Sequence, residues 1–115
     1  MRILLAEDDP LLGDGLRAGL RQLGFQVDWV RDGSAAEREL REDSHDAAVL
    51  DLGLPMKDGM DVLAAVRAQG LRTPVLVLTT ESEESKIKAG KEAGASGWMV
   101  KPFKNQDMVD MVRRL

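Results

Sequence analysis

The chain has no cysteine, which removes disulfides, thiolate catalysis and thiolate zinc sites together and is compatible with a reducing cytoplasm. Aromatic residues make up only 3%, so a core must rest on Leu, Val, Ala and Met. That composition suits helices laid on a sheet and disfavours an aromatic-rich β-sandwich. No apolar run approaches the roughly 20 residues of a membrane span. The N-terminal run, Ile3 to Ala6, is too short for a signal-peptide core and stops at three acids, so the chain reads as soluble, without a membrane partner. A basic excess is missing as well: the net charge is -4 with both signs interspersed, and direct nucleic-acid binding, which calls for a basic face, is not expected. Repeats, linkers and low-complexity stretches are absent. What is present, 115 residues at 43% hydrophobic and 31% charged, predicts one compact domain over residues 1–115.

Along its length the chain alternates short apolar runs with longer segments of helical period, the pattern of repeated βα units. After the first strand, Asp9 is placed to cap a helix opened by Pro10, with Leu12, Leu16, Leu20 and Leu23 on one face and Gly24 as the stop. Phe25 to Val30 alternates as a half-exposed strand. Ala35 to about Asp43 is a polar helix, and Asp46 to Leu50 a buried strand. Gly53 to Gly59 is a loop, followed by a helix from Met60 to Gly70, and Thr73-Pro74 restarts the chain as a strand. A helix from Ser82 or Glu83 to Ala93, a short strand Trp98 to Val100, and a terminal helix capped by Asn105 complete the chain. Five strands alternating with five helices imply a doubly wound α/β domain, because right-handed crossovers place helices on both faces.

Four of the apolar runs end at polar residues of different kinds: Glu7-Asp8-Asp9, Asp51, Thr79-Thr80 and Lys101. If these runs are neighbouring parallel strands, their carboxyl ends share one sheet edge, where acids, a hydroxyl and an amine meet. Such a set suits a divalent cation and a phosphoryl group. Periodicity does not fix the strand order, but chemistry selects one: the acids at 7, 8 and 51 meet only if their strands are adjacent, and with the Thr79 and Lys101 strands on the far side of the second this is the order 2-1-3-4-5, the flavodoxin-like arrangement for which CheY is a standing example.

With these residues in order, the chain resembles the CheY-like receiver domains of bacterial two-component response regulators from end to end. The resemblance rests on Glu7-Asp8, on Asp51 with Pro55 and Gly59 after it, on Thr79, and on Gly94-Ala95 leading to Lys101-Pro102-Phe103. It implies Asp51 as phosphoacceptor, Glu7 and Asp8 as metal-side acids, Thr79 as the hydroxyl that follows the phosphoryl group, and Lys101 as its cationic partner. It also implies a cis Lys101-Pro102 bond, and a switch aromatic at Trp98, where Tyr or Phe is usual and the larger indole puts the inward rotamer in question. Such a domain takes its phosphoryl group from a histidine kinase or phosphotransfer domain. It is not a classical enzyme, and it signals through its fourth helix, fifth strand and fifth helix to an output domain or target protein. The front of the chain, Met1 to about Pro55, resembles receivers of the OmpR type; the rear departs from them, with Ser96-Gly97 where an acidic pair is usual, and its Glu81 to Lys91 and Lys104 to Leu115 segments resemble single-domain chemotaxis-type or pilus-motility receivers. A stand-alone receiver, an excised domain and a join of two parents all remain open. The expected assembly is a monomer or a weak phosphorylation-dependent dimer.

The chemistry can also be argued directly. A carboxylate attacking phosphorus is repelled by the phosphate's own charge, so the reaction needs neutralisation and in-line placement. Mg²⁺, with Mn²⁺ as the alternative, keeps several waters and needs only one or two carboxylates plus a phosphate oxygen. Asp8 and Asp51 are the expected direct ligands, Glu7 acts through water, and the backbone carbonyl of Gly53 completes the shell as the resemblance suggests. Lys101 suits pairing with Asp51 before reaction and a phosphate oxygen afterwards, and Thr79 offers one donor. Asp9 is left out of the site as a helix cap, and His45 is expected to be solvated. An inactive docking module is the rival reading. A haloacid-dehalogenase-type phosphatase is disfavoured, because it requires an acid where Gly53 stands.

Overall fold

The structure, a computed structural model, describes residues 1–80 and 84–115, with side chains described outside residues 81–86. Its elements follow in strict alternation: β1 (Arg2–Ala6), α1 (Pro10–Gln22), β2 (Gln26–Val30), α2 (Gly33–Arg41), β3 (Ala47–Asp51), α3 (Gly59–Ala68), β4 (Val75–Thr79), α4 (Glu84–Glu92), β5 (Gly97–Val100) and α5 (Asn105–Arg113). The five strands form one parallel sheet in the order β2-β1-β3-β4-β5, as the sequence predicts. The expected start of the fourth helix, at Ser82 or Glu83, lies outside the described residues.

Alternation along the strands splits the core in two, since successive side chains of a strand point to opposite faces. Ile3, Leu5, Val49, Leu76 and Leu78 pack against Leu16 and Leu20 of α1 and Met108, Val109 and Val112 of α5. Leu4, Ala6, Ala48, Leu50, Val75 and Val77 face α2 and α3 through Ala36, Leu40, Val62, Leu63 and Val66. Met108 is fully buried and Met111 packs against the same core, so both fill space, in line with their helical spacing.

Caps fix where the helices begin. Asp9 accepts from the N–H groups of Leu11 and Leu12, Asp32 from Ala35 and Asp58 from Met60, each satisfying donors that a first turn leaves open. Three local expectations need correction. Leu23 is 42% exposed, because α1 ends one residue earlier and Leu23 turns out of the apolar stripe. Asn105 does not cap α5; it is the first helical residue, after Lys104, which makes no side-chain cap. Its side chain lies instead near Gly15 of α1. His45 is buried rather than solvated, with Nε2 2.8 Å from Asp28 Oδ2. Arg2 Nε reaches the same oxygen at 2.8 Å. Burial would raise the Asp28 carboxyl, but His45 and Arg2 outweigh it and its pKa is lowered.

Candidate phosphoacceptor and metal site

Because the strands are parallel, the chain leaves β1, β3, β4 and β5 at one edge. Asp51 is the last residue of β3 and pairs in register with Leu78; Thr79 closes β4 opposite Val100, and Lys101 follows directly. The backbone N–H of Lys101 donates to the Thr79 carbonyl at 2.7 Å, which extends the pairing one step past β5. The Lys101-Pro102 bond is cis, in agreement with the resemblance. From there the ammonium reaches back: Lys101 Nζ lies 3.0 Å from Glu7 Oε1 and 3.1 Å from Asp51 Oδ2. It therefore bridges the acids of β3 and of the segment after β1. Gly53 N–H donates to the other Asp51 oxygen, Oδ1, at 3.1 Å.

Carboxylate oxygens of Glu7, Asp8 and Asp51 all lie within 4.8 Å of one another. Glu7 is fully buried, Asp51 nearly so, and Asp8 exposed. Burial, reinforced by the adjacent Asp51 carboxyl, pushes the Glu7 carboxyl from an ordinary 4.5 up to about 7, although the Asp9 N–H and Lys101 pull the other way. For Lys101, burial opposes the ammonium, yet hydrogen bonds to Glu7 and Asp51 prevail and its pKa is raised. Three acids against one ammonium leave an excess of negative charge in a partly buried place. Such a donor set fits a hard cation that takes oxygen ligands, and the cluster could hold a metal ion. No steric demand from the protein forces glycine at 53: a Cβ there would stand 3.8 Å from Asp51 Oδ1, an ordinary contact.

The loop after Asp51 is gripped from one side. Gly59 N–H donates to the Leu52 carbonyl at 3.2 Å, and Gly33 N–H to the Pro55 carbonyl at 3.0 Å. Lys57 pairs with Glu37 of α2, which lowers the pKa of that carboxyl. Any side chain at 33 or 59 would collide with backbone, since a Cβ would fall 1.8 Å from the Lys57 oxygen or 2.5 Å from the Asp51 oxygen. The opposite flank is open. There a cleft of about 420 Å³ runs between the loop and α4, walled by Thr79, Thr80, Ala89 and Trp98. Thr79 is buried and Thr80 exposed. Trp98 packs with the core shared by α2 and α3, its ring filling the space over Gly90, where a Cβ would meet it at 2.0 Å. The indole is thus accommodated inward by a glycine on the facing helix.

Residues 3–113 match the family described as the response regulator receiver domain. The chain belongs to that family. It is 52% identical to the response regulator protein PmrA of Pseudomonas aeruginosa over 115 residues, all of this chain and 52% of that protein. Among solved structures it superimposes with TM-score 0.89 and 30% identity on the chemotaxis protein CheY4 of Vibrio cholerae, covering 98% of this chain and 96% of that one. The receiver domain of the sensor histidine kinase PA1611 of Pseudomonas aeruginosa, solved with magnesium in its active-site cleft, gives TM-score 0.87 and 33% identity over 98% of this chain and 94% of that one. The chain spans about half the length of the curated relatives it matches. As a two-component receiver it is a phosphoacceptor regulator rather than a classical enzyme, and receivers of this kind pair with histidine kinases and output domains.

The receiver edge gathers Glu7, Asp8, Asp51, Thr79 and Lys101, and leaves Asp9 at the helix cap. Sequence reasoning missed the supports. Trp29 Nε1 donates to the Glu7 carbonyl at 2.9 Å, and Arg31 Nη2 to the Asp8 carbonyl at 3.1 Å. The strand order alone places the end of β2 beside these acids, but the indole's reach depends on Gly13 of α1, which no local pattern marks.

Proposed function

We propose that the whole of residues 1–115 is one receiver in which Asp51 accepts a phosphoryl group from the phosphohistidine of a histidine kinase or phosphotransfer domain. An Asp51 oxygen attacks phosphorus, the phosphorus–nitrogen bond breaks, and the imidazole leaves with its electron pair. Asp8 and Asp51, the Gly53 carbonyl and Glu7 through water would hold Mg²⁺, or Mn²⁺ in its place. When bound, the ion neutralises charge on the phosphoryl oxygens. Lys101 orients Asp51 before the reaction and pairs with a phosphoryl oxygen after it. The observation that carries the reading is the ammonium bridging Glu7 and Asp51 inside a cluster of three carboxylates at the sheet edge.

Phosphorylation adds nearly one further negative charge at Asp51. Thr79, at the wall of the cleft, re-seats toward the new oxygens, and Trp98, which lines the same cleft, repacks with it. The face formed by α4, β5 and α5 then carries the signal to an output domain or target protein. The curated relatives include the transcriptional regulatory protein QseB, which supports a transcriptional output. The reading also places the protein in the cytoplasm, as a monomer or a weak phosphorylation-dependent dimer; no helix among the described residues is long and apolar enough to cross a membrane. The test is Mg²⁺-dependent labelling by acetyl phosphate, expected in the wild type and lost in Asp51→Asn. Label surviving that substitution would move the acceptor elsewhere. With Mg²⁺ raised until the variant is saturated, beryllofluoride should change Trp98 emission in a Trp29→Phe background, and an unchanged signal would remove Trp98 from the switch.

A further inference from the structure

We propose that Trp29 is a positioning residue for the metal-binding acids, holding the Glu7-Asp8 backbone from the edge strand through its indole N–H. The inference rests on the metal reading of Glu7, Asp8 and Asp51 given above.

Three hydrogen bonds run in sequence from the end of β2 to the acid pair. Glu7 N–H donates to the Val30 carbonyl at 3.1 Å; Trp29 Nε1 donates to the Glu7 carbonyl at 2.9 Å, and Arg31 Nη2 to the Asp8 carbonyl at 3.1 Å. The first is ordinary ladder pairing continued past β1. The other two come from side chains, and both fall on the peptide units that carry the acids. The indole is itself held. The guanidinium carbons of Arg17 and Arg31 sit 5.0 and 5.6 Å from its ring centroid, within cation–π range. From α1, Gly13 leaves the room it occupies: a Cβ there would lie 2.2 Å from Trp29 Cζ2 and 2.9 Å from Nε1.

The physical need is plain. Lys101 bridges Glu7 and Asp51, whereas Asp8, whose carboxylate oxygen lies within 4.8 Å of theirs, is exposed. Fixing the carbonyls on either side of the Asp8 Cα keeps the acid pair in place, so less ordering is required when an ion arrives. Groups one step behind metal ligands commonly change affinity by about 10-fold or more when removed.

The experiment measures Mg²⁺ binding directly, by calorimetry on wild type, Trp29→Phe and Gly13→Ala, beside urea unfolding in chelator. Phe keeps an aromatic ring but loses the donor together with the second ring; Ala at 13 displaces the indole while leaving it intact. Both should raise the Mg²⁺ dissociation constant by about 10-fold, and in the double variant the two losses should not add. In the wild-type protein the Trp29 indole N–H resonance, assigned by its loss in Trp29→Phe, should shift on Mg²⁺ addition with the calorimetric constant. Affinity within twofold of wild type in Trp29→Phe, even alongside lowered stability, would make Trp29 a packing residue and overturn the proposal. An indole resonance indifferent to Mg²⁺ would do the same. A wild-type protein that binds no Mg²⁺ would instead overturn the metal reading, and this inference with it.

Discussion

Replacing Glu7 with Gln should make the metal-free protein more stable at neutral pH, although it deletes a partner of Lys101. The Glu7 carboxyl is raised from 4.5 to about 7, first by burial and then by the Asp51 carboxyl next to it. Between those two pH values the folded protein keeps a proton that the unfolded chain releases, so stability falls as pH rises. At about 1.4 kcal/mol per unit, the loss attached to this one group approaches about 3 kcal/mol by pH 8. Gln cannot ionise, and its amide can donate toward Asp51. Lys101 keeps its contact with Asp51 at 3.1 Å, so Glu7→Gln should exceed wild type by about 1–3 kcal/mol at pH 8 and lose that advantage near pH 4.5. Urea unfolding of both proteins in chelator across this range, followed by tryptophan emission, gives the difference free of the other carboxyls they share. A difference that stays constant with pH would refute the argument. Saturating Mg²⁺ should reverse the order, because only the wild type can return its buried charge to use.

Three further outcomes are expected. Arg67 donates to the carbonyls of Gly94, Leu71 and Thr73 at 3.1, 2.9 and 2.7 Å; Arg67→Met keeps the stem, strands three acceptors and should cost about 2–3 kcal/mol in urea, a loss below about 0.5 kcal/mol contradicting it. Gly90→Ala should destabilise by about 1–3 kcal/mol and shift Trp98 emission, because the new methyl meets the indole. Helix propensity alone predicts a gain of about 1 kcal/mol there, so the sign decides. Met56, 83% exposed, sits at φ 70, and Met56→Asn should stabilise by about 0.5–1 kcal/mol because Asn tolerates the left-handed region that Met does not; an unchanged urea midpoint would show that the loop holds this conformation without strain.

The alternation of apolar runs and helical stretches carried the architecture, because each strand end is marked by a change from apolar to polar within one residue, as at Leu50-Asp51, Leu78-Thr79 and Val100-Lys101. The edge residues were legible for the same reason: a polar group at the end of a buried strand has one place to go. His45 was not. Its partner Asp28 lies 17 residues away on β2, and a lone histidine beside polar neighbours looks the same whether it faces water or an acid. Trp98 is legible as an aromatic and Trp29 is not singled out by any pattern, and the two glycines that make room for them, Gly90 and Gly13, stand on other elements. Complementarity of that kind depends on side-chain packing between segments, which spacing along one chain does not encode.

The glycines that press α2 and α3 onto the loop after Asp51 also dictate a direction. On that flank the backbone has no slack, whereas the other borders a hollow beside Thr79 and Trp98. A charge deposited between an anvil and a void can move only what stands at the void. In the function proposed above, the modification would carry no bearing of its own; the asymmetry of its surroundings would turn it into a vector aimed at the last third of the chain.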